Sequence, residues 1–542
     1  MKRRSIFVVA ALAVAAGSFA TDRANAGSPA ECAPTESIDK YRLLRQLSLD
    51  LVDRIPTIEE YHALDSLDAV DAATIEALLT SEEYFAQVRG YHRSLIWAGL
   101  EEALDAVSGQ RRLRRVGATN TWRLSNLRRF FRGRNNVECL NQLQTQFDAN
   151  GYPIPINTFS DPTCDNDTCI QEGFVMVDPF WDPGNPVKVC AFDAQALAVG
   201  QNGQACGPNT IIQGCGCGPN LQYCLPQPAD PTHQVVKRSL AEESTRIFEW
   251  VVRESHSYFE AFTTDTTFVN GPLVHFYTYL TEAALQNNGG VGFETRVTDL
   301  PPIPFSDADT WMPVQRGDVH AGVLTTPGFH LRFASNRSRV NQFYTAFRCE
   351  PFLPSADGLP AETEEIPNPN LRERAGCDAC HATIEVAAAH WGRWRTNGHY
   401  GYIAQQDVDY DTPRAQCLGC DGVTKNCNAF CNRYFVTQQN AAHPDEIDQW
   451  EGYPLAREWL SAQEAEMIGY GPAELVATDA DRDKIATCTV RTLAERLFGR
   501  ELTDTESLTW LPQITAEFAA SGHNFTDLVR TLIASETYRT IR

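Results

Sequence analysis

Seventeen cysteines constrain this chain more than any other feature of its sequence. How they are used depends on the start of the chain, where a basic Lys2-Arg3-Arg4 precedes an apolar run from Ile6 to Ala20 and the small-residue site Ala24-Asn25-Ala26. These are the three parts of a secretory signal, so we expect residues 1–26 to be a signal peptide. In the oxidising compartment that follows export, thiols pair unless a cofactor takes them. The sequence therefore predicts a disulfide-rich protein of the periplasm, the cell surface or the medium.

The length and net charge of the chain limit its domain organisation and its binding partners. A mature chain of about 515 residues is too long for one ordinary core, which predicts several domains. No second apolar run approaches the roughly 20 residues that a membrane-spanning helix needs, so we expect no integral membrane segment after signal removal. The net charge of −23 repels polyphosphate backbones and argues against nucleic-acid binding.

Arginines and aromatic residues alternate between residues 111 and 134. We interpret this stretch as a solvated helix face whose arginine stems pack on Trp122, Phe130 and Phe131. A docking patch for an acidic partner or an anionic lipid is the alternative. The arginines are Arg111, Arg112, Arg114, Arg115, Arg123, Arg128, Arg129, Arg132 and Arg134.

The pattern of apolar residues favours a mainly α, multidomain helical protein. Helical spacing runs from Ser37 to about Phe131, and Ser239 to Phe262 carries a second apolar helix face. From Ile485 the chain reads as three helices, with stop and start signals at Gly499, at Thr503 with Glu506, and at Asn524.

Between these regions the composition shifts to Gly, Pro, Asn and Asp. Eight cysteines, from Cys139 to Cys224, fall in this segment, which we expect to be irregular and held by disulfides because it buries little apolar surface. The predicted units after the signal are an N-terminal helical domain (27–135), the Cys-rich irregular insert (136–235), a helical domain (236–310), a module with a four-cysteine cluster (311–440) and a C-terminal helical domain (441–542).

The haem prediction rests on Cys377-Asp378-Ala379-Cys380-His381. In a c-type haem site two thiols at this spacing add to the vinyl groups, and the histidine that follows becomes the proximal iron ligand. The composition of the chain gives about 0.01 chance matches to this pattern. The motif therefore predicts one covalent haem c on Cys377 and Cys380, with His381 on the iron, and makes residues 311–440 a cytochrome-c-like haem module.

Two other interpretations of the motif remain open. One is a disulfide-bonded turn with an incidental histidine, and the other is a zinc site, although no second half with matching ligand spacing is evident. The separate cluster Cys417, Cys420, Cys427 and Cys431 is expected to form two disulfides, because an exported chain favours them over a metal.

The distal iron ligand is not fixed by the sequence. His399 and Met467 are the candidates for it, and His330 and Met312 lie upstream. His390 follows His381 by nine residues, a rise of about 13 Å along one helix, so we expect it to be a packing histidine.

Several stretches of the C-terminal half resemble large secreted, cytochrome-c-like proteins of planctomycetes and myxobacteria, which are described mostly through domains of unknown function. The likeness lies in Ser239 to Asn270, Gly322 to Arg337, Cys377 to Ile384 and Leu493 to Tyr538, and more faintly in Leu43 to Glu60. The resemblance implies an envelope protein with a haem-binding module between helical domains. The family usually continues its motif with Asp-Pro-x-Gly, whereas Glu385-Val386-Ala387 stands here.

The functional expectation is single-haem electron transfer at the cell envelope with an unidentified redox partner protein. The alternative is a haem-free, disulfide-stabilised secreted binding or scaffold protein in which Cys377 pairs with Cys380 or another thiol. A third possibility is an oxidoreductase whose haem serves a site elsewhere on the chain. Gly-x-Ser-x-Gly, Walker and His-Glu-x-x-His motifs do not occur, which removes the simplest hydrolase, nucleotide and metalloprotease hypotheses.

Overall fold

The structure is a computed structural model. It describes residues 37–97, 104, 111–124, 129–207, 214–281, 293–294, 297, 299–353, 371–396, 400–403, 415, 417–427, 431–432, 435–441, 444, 447–448, 451–452 and 467–540. The predicted signal peptide and Cys32 lie outside the described residues.

Helices make up 48% of the structure, and side-chain caps start many of them. Asp39 accepts hydrogen bonds from the first backbone N–H groups of helix α1, and Thr57 with Glu60 forms a reciprocal capping box on α2. These contacts satisfy donors that have no partner inside the helix. The helices are α1 (Lys40–Val52), α2 (Ile58–Asp65), α3 (Ala72–Leu79), α4 (Glu82–Ile96), α5 (Arg129–Arg132), α6 (Pro231–Arg253), α7 (Gly271–His275), α8 (Pro327–Arg332), α9 (Asn336–Phe343), α10 (Asp378–Ala388), α11 (Asp479–Phe498), α12 (Leu511–Ala520), α13 (Phe525–Ala534) and α14 (Glu536–Arg539).

The C-terminal helices predicted from the sequence are confirmed. Helix α11 ends at Gly499, whose φ of 64° suits a residue without a side chain. Thr503 and Glu506 exchange side-chain to backbone hydrogen bonds, and Asn524 caps α13. Helix α11 begins earlier than predicted, at Asp479.

The strands form one five-stranded sheet and three two-stranded pairs. The large sheet has the order β5-β6-β2-β1-β7, with antiparallel pairs β1–β2 and β5–β6 and parallel pairs β2–β6 and β1–β7. The smaller pairs are β3–β4, β8–β10 and β9–β11. The strands are β1 (Arg112–Val116), β2 (Thr121–Leu124), β3 (Asn157–Ser160), β4 (Thr168–Gln171), β5 (Phe174–Val177), β6 (Val187–Cys190), β7 (Leu225–Pro226), β8 (Thr266–Val269), β9 (Phe293–Glu294), β10 (Met312–Gln315) and β11 (Tyr402–Ile403).

The predicted mainly helical fold is therefore confirmed only in part. The insert at 136–235, expected to be irregular, contributes β3 to β7, because disulfides and a small apolar core around Val189 and Leu221 hold short strands together. The described residues of the predicted haem module at 311–440 show no cytochrome-c fold.

Residues 112–124 of the arginine-rich stretch form a β-hairpin, so the interpretation as a solvated helix face was wrong for this part, whereas Arg129–Arg132 is the short helix α5. Leu113 and Leu124 face each other across β1 and β2 and are buried in the small core. Arg123 is buried as well, and Arg115 stacks on Trp122 with its guanidinium carbon 4.8 Å from the ring centroid. Successive side chains of a strand point to opposite faces of the sheet, which explains how one strand can carry both apolar and basic residues.

One hydrophobic core runs through all five predicted units. It contains Leu47 of α1, Val251 of α6 and Leu532 of α13. The two ends of the described chain meet where the Ile38 N–H donates to the Arg539 carbonyl at 3.0 Å. The domain boundaries stay predictions, but the helical regions share their apolar interior.

Seven disulfides are present, as expected of an exported chain. Four lie in the Cys-rich segment, and the four-cysteine cluster forms two disulfides, as predicted. The bond between Cys349, which follows α9, and Cys488 of α11 joins positions that are distant in sequence, and it was not predicted. No helix in the described ranges combines the length and apolar character needed to cross a bilayer. The pairs are Cys139–Cys190, Cys164–Cys169, Cys206–Cys215, Cys217–Cys224, Cys349–Cys488, Cys417–Cys431 and Cys420–Cys427.

Candidate functional site

The Cys-x-x-Cys-His motif forms the first turn of helix α10. Gly376 enters the turn with φ of 78°, and Cys377 is the residue just before the helix. The N–H of His381 donates to the Cys377 carbonyl at 3.0 Å. Helical spacing of three and four residues therefore places both thiols and the imidazole on the same face of the helix.

The two motif thiols differ from the other described cysteines. Cys377 and Cys380 are free and half-buried, whereas the remaining fourteen described cysteines are all paired. The Cys380 sulfur lies 3.8 Å from the Leu353 carbonyl oxygen, and its side chain packs against the main core. Both thiols are thus reachable while the helix that carries them is anchored.

The His381 ring is oriented by a carboxylate one turn further along the helix. Its Nδ1 lies 2.6 Å from Oε1 of Glu385, which also accepts from Nε of Arg337 at 2.8 Å. Among the described residues, Nε2 of His381 has no hydrogen-bond partner. A histidine that donates from Nδ1 to a carboxylate presents the lone pair of Nε2, the usual arrangement of an imidazole metal ligand.

Glu385 was missed as a functional residue in the sequence. It appeared there only as a departure from the resembled family's Asp-Pro-x-Gly turn. Its side chain is 3% exposed, and its second oxygen, Oε2, is buried and has no hydrogen-bond partner among the described residues. The available signal was the spacing of four residues between His381 and Glu385, which brings the two side chains together on any helix.

The far end of α10 is fixed in the core. The indole N–H of Trp391 donates to the Leu324 carbonyl at 3.0 Å. His390 is buried, and its Nδ1 lies 2.9 Å from the Gly471 carbonyl oxygen, in keeping with a packing role. Burial lowers the pKa of His390 to about 4, so it is neutral near pH 7.

The candidate distal ligands remain predictions. Met467 lies in a short helical turn whose carbonyl accepts from Gly471, beside His390 and therefore near the far end of α10. His399 lies outside the described residues. His330 is fully buried with Nε2 3.0 Å from the Leu324 carbonyl oxygen, and Met312 is 42% exposed on β10.

A second polar cluster is buried around Glu243. Oε1 of Glu243 accepts hydrogen bonds from the hydroxyls of Thr267 and Tyr277, each at 2.7 Å. Burial raises the pKa of Glu243, while the nearby Arg316 guanidinium opposes that rise. The cluster joins α6, β8 and the helical turn Phe276–Leu280 that follows α7.

Comparisons with known proteins add no assignment. No family model, no curated protein and no solved structure matches this chain.

Proposed function

We propose that this chain carries one covalent c-type haem on Cys377 and Cys380, with His381 as the proximal ligand, and that it transfers electrons outside the cytoplasm. The observation that carries the proposal is the pair of free thiols beside a histidine whose Nε2 is available, in a chain that otherwise pairs its described cysteines. A bound haem would supply a one-electron couple at this site.

The residues of the site fit the covalent attachment. Each S–H adds across one vinyl double bond, so that a C–S bond forms at one carbon and the hydrogen moves to the other, without an external oxidant. Glu385 holds the His381 ring through Nδ1, which leaves Nε2 as the nitrogen that can bind iron. The second buried oxygen of Glu385 is a polar atom that the described part of the chain leaves without a hydrogen bond.

The export evidence supports a place for this function at the cell envelope, in the periplasm or on the cell surface. Seven disulfides require an oxidising compartment. Haem attachment to cysteines also takes place on that side of the membrane. The redox partner would be another protein, which docks where the motif helix reaches the surface.

The test is to express the chain together with a haem-attachment system, denature it, and measure absorbance that stays with the polypeptide. We expect wild-type protein to keep the pigment and Cys377→Ala, Cys380→Ala or the double variant to lose covalent attachment at the altered position. The double variant Cys417→Ala/Cys431→Ala is the matched control, because it removes a disulfide from the chain's other Cys-x-x-Cys and should stay coloured.

A colourless wild-type protein with Cys377 and Cys380 joined by a disulfide would contradict this proposal. That result would instead support the haem-free scaffold protein as the function of this fold. Iron binding that is lost on denaturation, or zinc in place of iron, would also count against the covalent haem.

A further inference from the structure

We propose that Glu385 and Arg337 set the basicity of the His381 imidazole and, through it, the reduction potential of the haem. The inference rests on the proposed function and names the residues that tune it. Neither residue carries a thiol or a metal-ligating atom of the predicted site, so both act by positioning and polarising His381.

The geometry places the negative charge of one carboxylate directly beside the imidazole. Oε1 of Glu385 contacts both Nδ1 of His381 at 2.6 Å and Nε of Arg337 at 2.8 Å. The Glu385 side chain is 3% exposed, whereas that of Arg337 is 40% exposed. The carboxylate is thus shielded from water and faces one imidazole and one partly hydrated cation.

The physical effect follows from this shared oxygen. A hydrogen bond from Nδ1–H to a carboxylate is shorter and stronger than one to a neutral acceptor, and it raises electron density at Nε2. A more basic proximal ligand stabilises ferric over ferrous iron and lowers the reduction potential. Arg337 draws on the same oxygen of Glu385, so it moderates the effect of the carboxylate on His381.

The two variants should therefore shift the potential in opposite directions. Glu385→Gln keeps an acceptor of the same shape but removes the charge, so the midpoint potential should rise. Arg337→Gln leaves the carboxylate free to polarise the imidazole more strongly, so the midpoint potential should fall. Each tenfold change in the preference for ferric iron corresponds to about 59 mV for a one-electron couple.

Redox titration of the purified haem protein measures these shifts. Glu60→Gln is the matched control, because Glu60 of α2 forms a similar carboxylate–arginine pair with Arg54. This variant should leave the potential unchanged. Glu385→Asp keeps the charge but shortens the side chain, so an intermediate shift is expected even if Glu385→Gln folds poorly. The inference would be overturned if both variants had the midpoint potential of the wild type, or if Glu385→Gln and Arg337→Gln shifted it in the same direction.

A second readout needs no haem. In the Cys377→Ser/Cys380→Ser protein with ¹⁵N-labelled histidine, neutral His381 should show the tautomer protonated at Nδ1, and Glu385→Leu should release it into both tautomers. His381→Gln assigns the resonance. A mixed tautomer already present beside Glu385 would contradict the inference, whereas absence of covalent haem in the wild type contradicts only the proposed function.

Discussion

Buried histidines in this protein are held neutral by their surroundings. Burial lowers the pKa of His92 to about 3, against the ordinary value of 6.5. Its Nδ1 donates to the Val88 carbonyl at 2.8 Å, and its Nε2 accepts from the Tyr258 hydroxyl at 3.2 Å. The ring also stacks on Phe248 with a centroid distance of 3.9 Å. Because Nε2 accepts the hydrogen bond from Tyr258, the ring must be the uncharged imidazole.

We predict that His92 makes the protein less stable as the pH falls. Its folded pKa is depressed, so below pH 6.5 the unfolded chain takes up a proton that the folded chain excludes. The difference in unfolding free energy between wild type and His92→Gln should therefore shift by about 2 kcal/mol against the wild type between pH 7.5 and pH 5. Urea unfolding at several pH values measures it.

Phe248→Leu serves as the control for that experiment, since it disturbs the same packing without altering an ionisable group. Its effect on stability, measured against wild type, should not change over the same pH range. A pH-independent difference for His92→Gln as well would show that His92 is hydrated or open to protonation in the folded protein.

Functional and capping residues could be predicted from the sequence where they interact with residues close to them in the chain. The Cys377 to His381 motif and the cap at Asn524 involve neighbours within a few residues, and both have patterns that chance seldom produces. Glu385 lies just as close, but a lone acid four residues from a histidine is common on helices. The burial that gives Glu385 its role comes from α9 packing against α10, which no local pattern encodes.

Among the secondary-structure elements, the five-stranded sheet depends on a buried ion cluster beside β5 and β6. Arg132 at the end of α5 contacts Glu172 at 3.0 Å and Asp193 at 2.6 Å, and all three side chains are at most 1% exposed. Burial raises the pKa of Glu172 to about 7, with Arg132 opposing the rise. The arginine therefore compensates two carboxylates that the sheet has removed from water.

We predict that Arg132→Leu destabilises this sheet by about 3–5 kcal/mol, because it leaves two buried acids without a cation. Hydrogen exchange should report faster opening of β4 to β6. Arg134→Leu is the control, since its side chain is 60% exposed and lies 3.8 Å from Asp161, a pair worth at most about 1 kcal/mol. Equal protection in the two variants would contradict a structural role for the cluster.

The helices and the sheet also differ in how well the sequence predicted them. Helices α1 and α2 were expected because apolar spacing and caps act within a few residues. The β1–β2 hairpin was taken for helix because its strands are short and arginine-rich, and the sheet that buries them includes β6, which lies far away in sequence. Strand pairing of this kind leaves no local signature.

For the molecule as a whole, the Cys349–Cys488 disulfide closes the chain segment that carries the motif. It joins residues separated by 139 positions, next to α9 on one side and within α11 on the other. We predict that Cys349→Ser/Cys488→Ser loses about 2–5 kcal/mol, because a large loop regains entropy when the chain unfolds. Protease cleavage between residues 350 and 478 should accelerate. The shorter Cys164–Cys169 pair, replaced in the same way, is the control and should matter less.

The last prediction concerns the packing of the C-terminal helices against the N-terminal ones. Helix α13 buries five apolar side chains, and the Phe525 ring lies 5.9 Å from that of Tyr91 on α4. At about 1.5–3 kcal/mol for each buried side chain, removing residues 521–542 costs about 7–15 kcal/mol, which is comparable with the total stability of a protein. Helices α1 to α4 should therefore lose hydrogen-exchange protection when the C-terminal helices are deleted.

The same truncation should spare the five-stranded sheet, which has its own apolar core and disulfides. Full-length Arg530→Gln is the control: it removes only the partly exposed ion pairs with Glu76 and Asp527, each of which is worth at most about 1 kcal/mol. Protected α1 to α4 helices in the truncated protein would mean that the N-terminal helices fold by themselves. If these helices lose their hydrogen-exchange protection while the sheet keeps its own, residues from opposite ends of the chain stabilise the same core. The motif helix packs against that core.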